Sequence, residues 1–222
     1  MDWSAFSLSV VLAMSTVAVL LPLGLLIARL LAYRQFAGKP LVEALIILPL
    51  VLPPTVLGYY LLQAFGQHFW LGRLFQAVFG YSLNFSFSGL LLASVIFNLP
   101  FMVQPLQRAF ESIPVSLYQA GQLCGLSFWR IFTRIELPLA WRGVLSALVL
   151  TFVHTLGEFG VVLMIGGNIP GQTRTLSIAI YDSVQGFELE KAQAMSLTLL
   201  LFCLLAVAVL YLSPRQSKGA RA

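Results

Sequence analysis

His154 and Glu158 stand four residues apart in an otherwise apolar run, so a helix through them carries both side chains on one face. An ionisable pair at membrane depth could relay protons. Glu158, flanked by Gly157 and Gly160, also suits a plainer task, accepting backbone hydrogen bonds at a helix distortion. Two ligands make a poor metal site. Cys124 falls in a polar stretch and Cys203 in an apolar run, an arrangement that suggests neither a disulfide nor a metal. No catalytic residue and no metal ligand is expected. Four isolated polar residues in apolar runs, Thr55, Asn98, Gln104 and Thr151, either line a polar path or hydrogen-bond between helices.

A second constellation runs from Gln119-Ala120-Gly121 through Gly125 to Ile135-Glu136-Leu137-Pro138. Pro114 suits a first helical position, and Gly125 can end the helix with a left-handed residue. Ser127 can cap a second helix starting at Phe128, which Pro138 then stops or redirects. Leu117, Ala120, Gly121 and Cys124 recur at the spacing of one helical face, and their mostly small side chains allow close approach to another surface. The prediction is a short helix, a turn and a second short helix that present a face to a partner.

The elements that must position these residues are membrane spans. The chain has 222 residues, 59% hydrophobic and 9% charged, too much apolar surface for one soluble core. Five runs reach the roughly 20 apolar residues that a spanning helix requires: 7–32, 43–66, 88–110, 139–165 and 192–212. They lack the alternation of a membrane barrel, so the expected fold is all-α, one membrane domain over 1–222. A cleavable leader is the competing reading of the first run, but Asp2 stands where such leaders carry positive charge, and the run is too long.

Orientation follows from Lys and Arg, which stay on the cytoplasmic side of short loops. Arg29, Arg34, Lys39, Arg108, Arg130, Arg134, Arg142, Arg215, Lys218 and Arg221 fall on one side, against Arg73, Arg174 and Lys191 on the other. The N-terminus is therefore expected outside, the C-terminus in the cytoplasm, and 111–138 in the cytoplasm between spans three and four. The net charge of +5 is mostly this orientation signal, and it gives no support to nucleic-acid binding.

Two spans carry matching proline interruptions, Pro49 with Pro53-Pro54 and Pro100 with Pro105. Broken helices at matching depth point to a transport pathway, whereas simple packing kinks give the same pattern. The aromatic-rich stretch 67–87 suits interfacial anchoring or docking of an external partner. After the turn-rich 166–171, the apolar run from Leu176 to Tyr181 is too short to cross and is expected as a re-entrant or interfacial helix.

The 119–138 stretch resembles the cytoplasmic signature of the membrane-spanning subunits of binding-protein-dependent ABC importers: Glu-Ala-Ala, three residues, Gly, nine residues, Ile, any residue, Leu-Pro. Gln119, Ala120, Gly121, Gly125, Ile135, Leu137 and Pro138 fall at those spacings, with Gln for Glu and Gly for the second Ala. The resemblance implies that 114–125 is a coupling helix seated on a separate ATPase. This chain has no phosphate loop of its own, so ATP and Mg belong to that ATPase.

The resemblance narrows to the molybdate, tungstate and sulfate permeases, nearest the molybdate members. It rests on the run from Leu48 to Tyr59, on Leu156-Gly157-Glu158-Phe159-Gly160, on the run from Gly167 to Thr175, and on Tyr181. It implies a homodimer with two ATP-binding cassette subunits and an external substrate-binding protein, working by alternating access in the cytoplasmic membrane. Pro49, Pro53, Pro54, Thr55, Asn98, Pro100, Gln104, Thr151 and Glu158 are the expected pathway or gate residues. No cluster of Arg or Lys is evident within the spans to hold a dianion, which suits a transient conduit. A carboxylate at 158 would repel an anion in transit. Alternatives from other classes are a proton-coupled transporter centred on His154 and Glu158, and a membrane scaffold that recruits a soluble enzyme.

Overall fold

A computed structural model describes residues 1–212; Arg215, Lys218 and Arg221, counted for orientation, lie outside the described residues. The chain begins with α1 (Trp3–Tyr33), capped by Asp2, whose Oδ1 accepts from the Ala5 N–H at 3.0 Å. That bond holds the Asp2 carboxyl below its ordinary pKa. Then follow α2 (Lys39–Val51), α3 (Pro54–Phe65), α4 (Trp70–Phe79), α5 (Phe87–Glu111), α6 (Val115–Leu123) and α7 (Phe128–Ile131). A π-helical turn (Phe132–Glu136) leads into α8 (Leu137–Gly157), followed by α9 (Gly160–Gly166), α10 (Leu176–Gln185) and α11 (Leu189–Leu212).

The centre is the packing of α1, α5 and α8, where Leu20, Ala28, Leu31, Met102, Leu106, Phe110, Ala140 and Ala147 are buried together. Small residues set the approach, because lipid gives helices little hydrophobic reason to associate and close van der Waals contact must supply it. Gly143 of α8 sits where any side chain would strike Ala109 and the Pro105 carbonyl of α5. α11 buries only Ala192 and Met195 and leaves Leu197, Leu200, Leu204, Leu205 and Val209 exposed.

Among the described residues, Trp3–Tyr33, Phe87–Glu111, Phe128–Gly157 and Leu189–Leu212 are long and apolar enough to cross a membrane. The second expected span, 43–66, is not one straight helix. α2 and α3 meet at 109° across Leu52 and Pro53. Consecutive prolines remove two donors and force the residues before them into extended backbone, and Leu52 takes ψ 140. The matching break expected in the third span does not occur, since α5 runs unbroken through Pro100 and Pro105. Each proline there stands alone in a 25-residue helix clamped by α1 and α8, so the lost bonds leave the path of the chain intact.

Pro138 likewise neither stops nor redirects its helix: Phe128–Gly157 is continuous. The π-helical turn just before it widens the hydrogen-bond ladder, so the missing donor and the ring fit at the start of α8. The fourth apolar run, expected over 139–165, instead divides at Glu158 and Phe159 into α8 and α9. The aromatic stretch 67–87 contains the short helix α4, with Trp70 and Phe79 exposed. The short segment after Thr175 is the helix α10, tied to α1 by the Leu176 N–H donating to Ser9 Oγ at 2.8 Å.

Candidate functional site

The polar stretch folds as predicted around Gly125. Its φ is +72°, and α6 ends in a pair of bonds that requires it: Gly125 N–H donates to the Gln122 carbonyl and Leu126 N–H to the Gly121 carbonyl. α6 starts one residue after Pro114. Ser127 stands at the start of α7 in extended backbone, but its hydroxyl makes no capping bond.

Gly121 faces inward, where an added Cβ would lie 2.9 Å from Ile135 Cδ1 and 3.2 Å from Ile131 Cγ1. The glycine that replaces the second Ala of the signature thus packs α6 against the helix that follows it. Leu117, Gln119, Ala120 and Cys124 are exposed, together with Val115 and Leu123, which is 90% exposed. An apolar, solvent-facing strip on a helix lying between two spans suits the groove of a partner. Ile135, Leu137 and Pro138 belong to the turn and helix that carry this platform into the membrane.

Glu136, the unspecified position of the signature, is 1% exposed and bridged by Arg29 of α1. The guanidinium donates through Nε to Oε2 at 2.6 Å and through Nη2 to Oε1 at 2.9 Å. Its carbon lies 4.1 Å from the Phe128 ring centroid and 5.5 Å from that of Tyr33. Tyr33 in turn stacks on Tyr118 of α6 at 6.2 Å. α1 therefore grips both halves of the 114–138 segment. Sequence reasoning counted Arg29 only for orientation and passed over Glu136; the available signal was one charge of each sign in separate apolar surroundings.

The residues expected from sequence to line a pathway or gate fall into separate groups. Pro53, Pro54 and Thr55 are exposed at the bend, while Pro49 and Pro100 are buried. The bend is fixed by α9: a Cβ on Gly160 would lie 2.7 Å from Pro54 Cβ, and one on Gly58 would lie 2.9 Å from Met164 Cβ. Asn98 is wholly buried, donating to the Ser94 carbonyl at 2.8 Å and turning its Oδ1 to His154 Nδ1 at 3.0 Å. His154 also stacks on Phe101 at 3.9 Å.

Glu158 takes a different partner, its Oε1 accepting from the Val161 N–H at 3.1 Å at the start of α9. Its backbone carbonyl accepts from Ser177 Oγ at 2.5 Å. The two residues that share a face by spacing thus serve different neighbours, and the helix-distortion role suggested for Glu158 is the one its contacts fill. Thr151 is buried at the α8 core with no hydrogen bond to Oγ1, whereas Gln104 lines two grooves beside α5.

The architecture and the signature geometry meet in one family model, the binding-protein-dependent transport system inner membrane component, which matches residues 20–218. The chain belongs to this family. Over 218 residues the permease is 44% identical to the molybdenum transport system permease protein ModB of Azotobacter vinelandii, covering 98% of this chain and 96% of that one. The corresponding protein of Haemophilus influenzae is 40% identical over 220 residues, with the same coverage. A probable sulfate transport system permease protein of Chlorella vulgaris is 32% identical over 201 residues, covering 90% of this chain and 75% of its own.

Among solved structures, a bacterial ABC transporter that imports the acidic polysaccharide alginate superposes with a TM-score of 0.75 at 17% identity, covering 96% of this chain and 79% of that one. The MetNI methionine ABC transporter in an inward-facing conformation gives 0.66 at 16%, covering 96% and 94%. At these identities the likeness is one of fold. The permease is thus a multi-pass inner-membrane transport component and not an enzyme.

Proposed function

We propose that the permease imports a tetrahedral oxyanion, molybdate before tungstate or sulfate, in an ATP-driven importer working by alternating access. The observation that carries this reading is the 44% identity to a molybdenum transport permease over nearly the whole of both chains. The chain acts as one permease domain with its N-terminus outside and its C-terminus in the cytoplasm. Two copies pair as a homodimer around the pathway. Two ATP-binding cassette subunits, holding ATP and Mg, seat the exposed strip of α6 that includes Leu117, Ala120 and Cys124. An external binding protein delivers the anion to the opposite face. The bend at Pro53-Pro54, packed on Gly160, is the element placed to open and close the pathway.

Reconstitution of the permease with its ATPase and binding protein tests the reading directly. Labelled molybdate should enter vesicles only with ATP and the binding protein, and competition by tungstate and sulfate ranks the anions. Uptake that needs neither, driven by a pH gradient, would overturn it.

A further inference from the structure

Gly143 and Ala109 bring α8 and α5 into contact, and Arg142 and Arg108 each precede one of these residues. The two arginines therefore stand at the same level, near the helix ends joined by α6. Between them opens a groove of about 520 Å³ lined by Arg108, Arg142, Gln104, Ser146, Phe101 and Leu50, the last from α2 just before the bend. Among the described residues, no carboxylate lines it. Glu43 and Glu111 border a separate groove on the α2 side of α5, where Gln107 Nε2 donates to one oxygen of each at 2.9 Å. Arg108 borders both grooves, whereas Glu43 and Glu111 border only the one on the α2 side and Arg142 only the other.

We propose that the groove between α5 and α8 is an oxyanion-binding site at the coupling-segment end of the pathway. Arg108 and Arg142 supply the charge, and the Gln104 amide and Ser146 hydroxyl supply neutral donors. A tetrahedral dianion leaving water needs compensating charge and several donors at once. Guanidinium groups meet both needs in a fixed geometry. Retention of positive charge on the cytoplasmic side accounts for arginines at this end of the spans. It does not account for their convergence, from two helices, on one groove beside the broken span whose described lining also carries Gln104 and Ser146.

The inference rests on the oxyanion-import reading, and its test separates the two. In the reconstituted complex, with Cys124 and Cys203 replaced by Ser, Leu150→Cys places a thiol in the groove without altering the four proposed groups. A negatively charged methanethiosulfonate should modify it several-fold faster than a positively charged one. Molybdate should slow the reaction at an ionic strength where chloride does not. The pair Arg108→Gln and Arg142→Gln should abolish both effects, and the pair Arg108→Lys and Arg142→Lys should keep the rate preference. Equal rates for the two reagents, or protection by chloride equal to that by molybdate, would overturn the site. With uptake measured on the unsubstituted complex, ATP-dependent molybdate uptake without protection sinks the site alone; protection without molybdate uptake keeps the site and sinks the transport reading.

Discussion

Arg29 and Glu136, 107 residues apart in sequence, form a two-bond ion pair at 2.6 and 2.9 Å that ties α1 to the π-helical turn of the coupling segment. With Glu136 1% exposed, loss of the arginine leaves a buried charge unpaired, which costs about 3–5 kcal/mol. Arg29→Ala should therefore lower the unfolding temperature of the detergent-solubilised permease sharply. Replacing both residues by apolar ones of similar volume should recover most of the loss. In the assembled importer that apolar pair should still bind the ATPase but waste hydrolysis, because the α1 grip on the platform no longer carries direction. Transport per ATP is the measurement, and an unchanged ratio refutes the grip.

The end of α6 is fixed by Gly125 at φ +72°. A β-branched residue there meets the left-handed penalty of roughly 1–2 kcal/mol per residue. Among the described residues beyond its chain neighbours, no atom lies within 4 Å of a Cβ added there, so the strain is of the backbone. Gly125→Val should weaken ATPase binding in a pull-down from detergent while insertion stays normal, and Gly125→Asn should be milder because Asn tolerates this conformation. Equal binding by wild type and Gly125→Val would remove the turn from the contact.

Glu158 and His154 can be separated by substitution. Gln at 158 keeps an oxygen for the Val161 N–H, so Glu158→Gln should leave uptake nearly intact. Glu158→Ala loses this cap-like bond at a cost of about 0.5–2 kcal/mol and should slow uptake. A proton relay instead requires Glu158→Gln to be as inactive as Glu158→Ala. Uptake in vesicles with and without an imposed pH gradient decides between them.

The sequence made the apolar runs, the left-handed glycine and the helix-turn-helix of 114–138 legible because each is a local property of a few neighbouring residues. It could not distinguish Pro53-Pro54, which bends the chain by 109°, from Pro100 and Pro105, which do not, because the difference lies in which helices pack around them. The same limit hid Arg29 with Glu136, and Arg108 with Arg142, pairs made by tertiary packing across separate helices. Gly121 was read as part of a docking face and turned out to pack on Ile131 and Ile135, since spacing gives a face but not its neighbour.

The bend itself depends on α9 approaching α3 without intervening side chains. A Cβ at Gly160 would meet Pro54 Cβ at 2.7 Å, a ring carbon that cannot swing away, and one at Gly58 would meet Met164 Cβ at 2.9 Å. Gly160→Val should thus displace α3 from α9 and cost about 1–3 kcal/mol, the range for overpacking a fitted interior. Gly160→Ala should be the milder change. Because α6 and the Arg29 bridge lie on other elements, ATPase binding should survive in both variants while uptake falls, most in Val. Loss of ATPase binding in step with uptake would mean that the bend and the coupling segment move as one body, and the gate would have to be sought elsewhere in the permease.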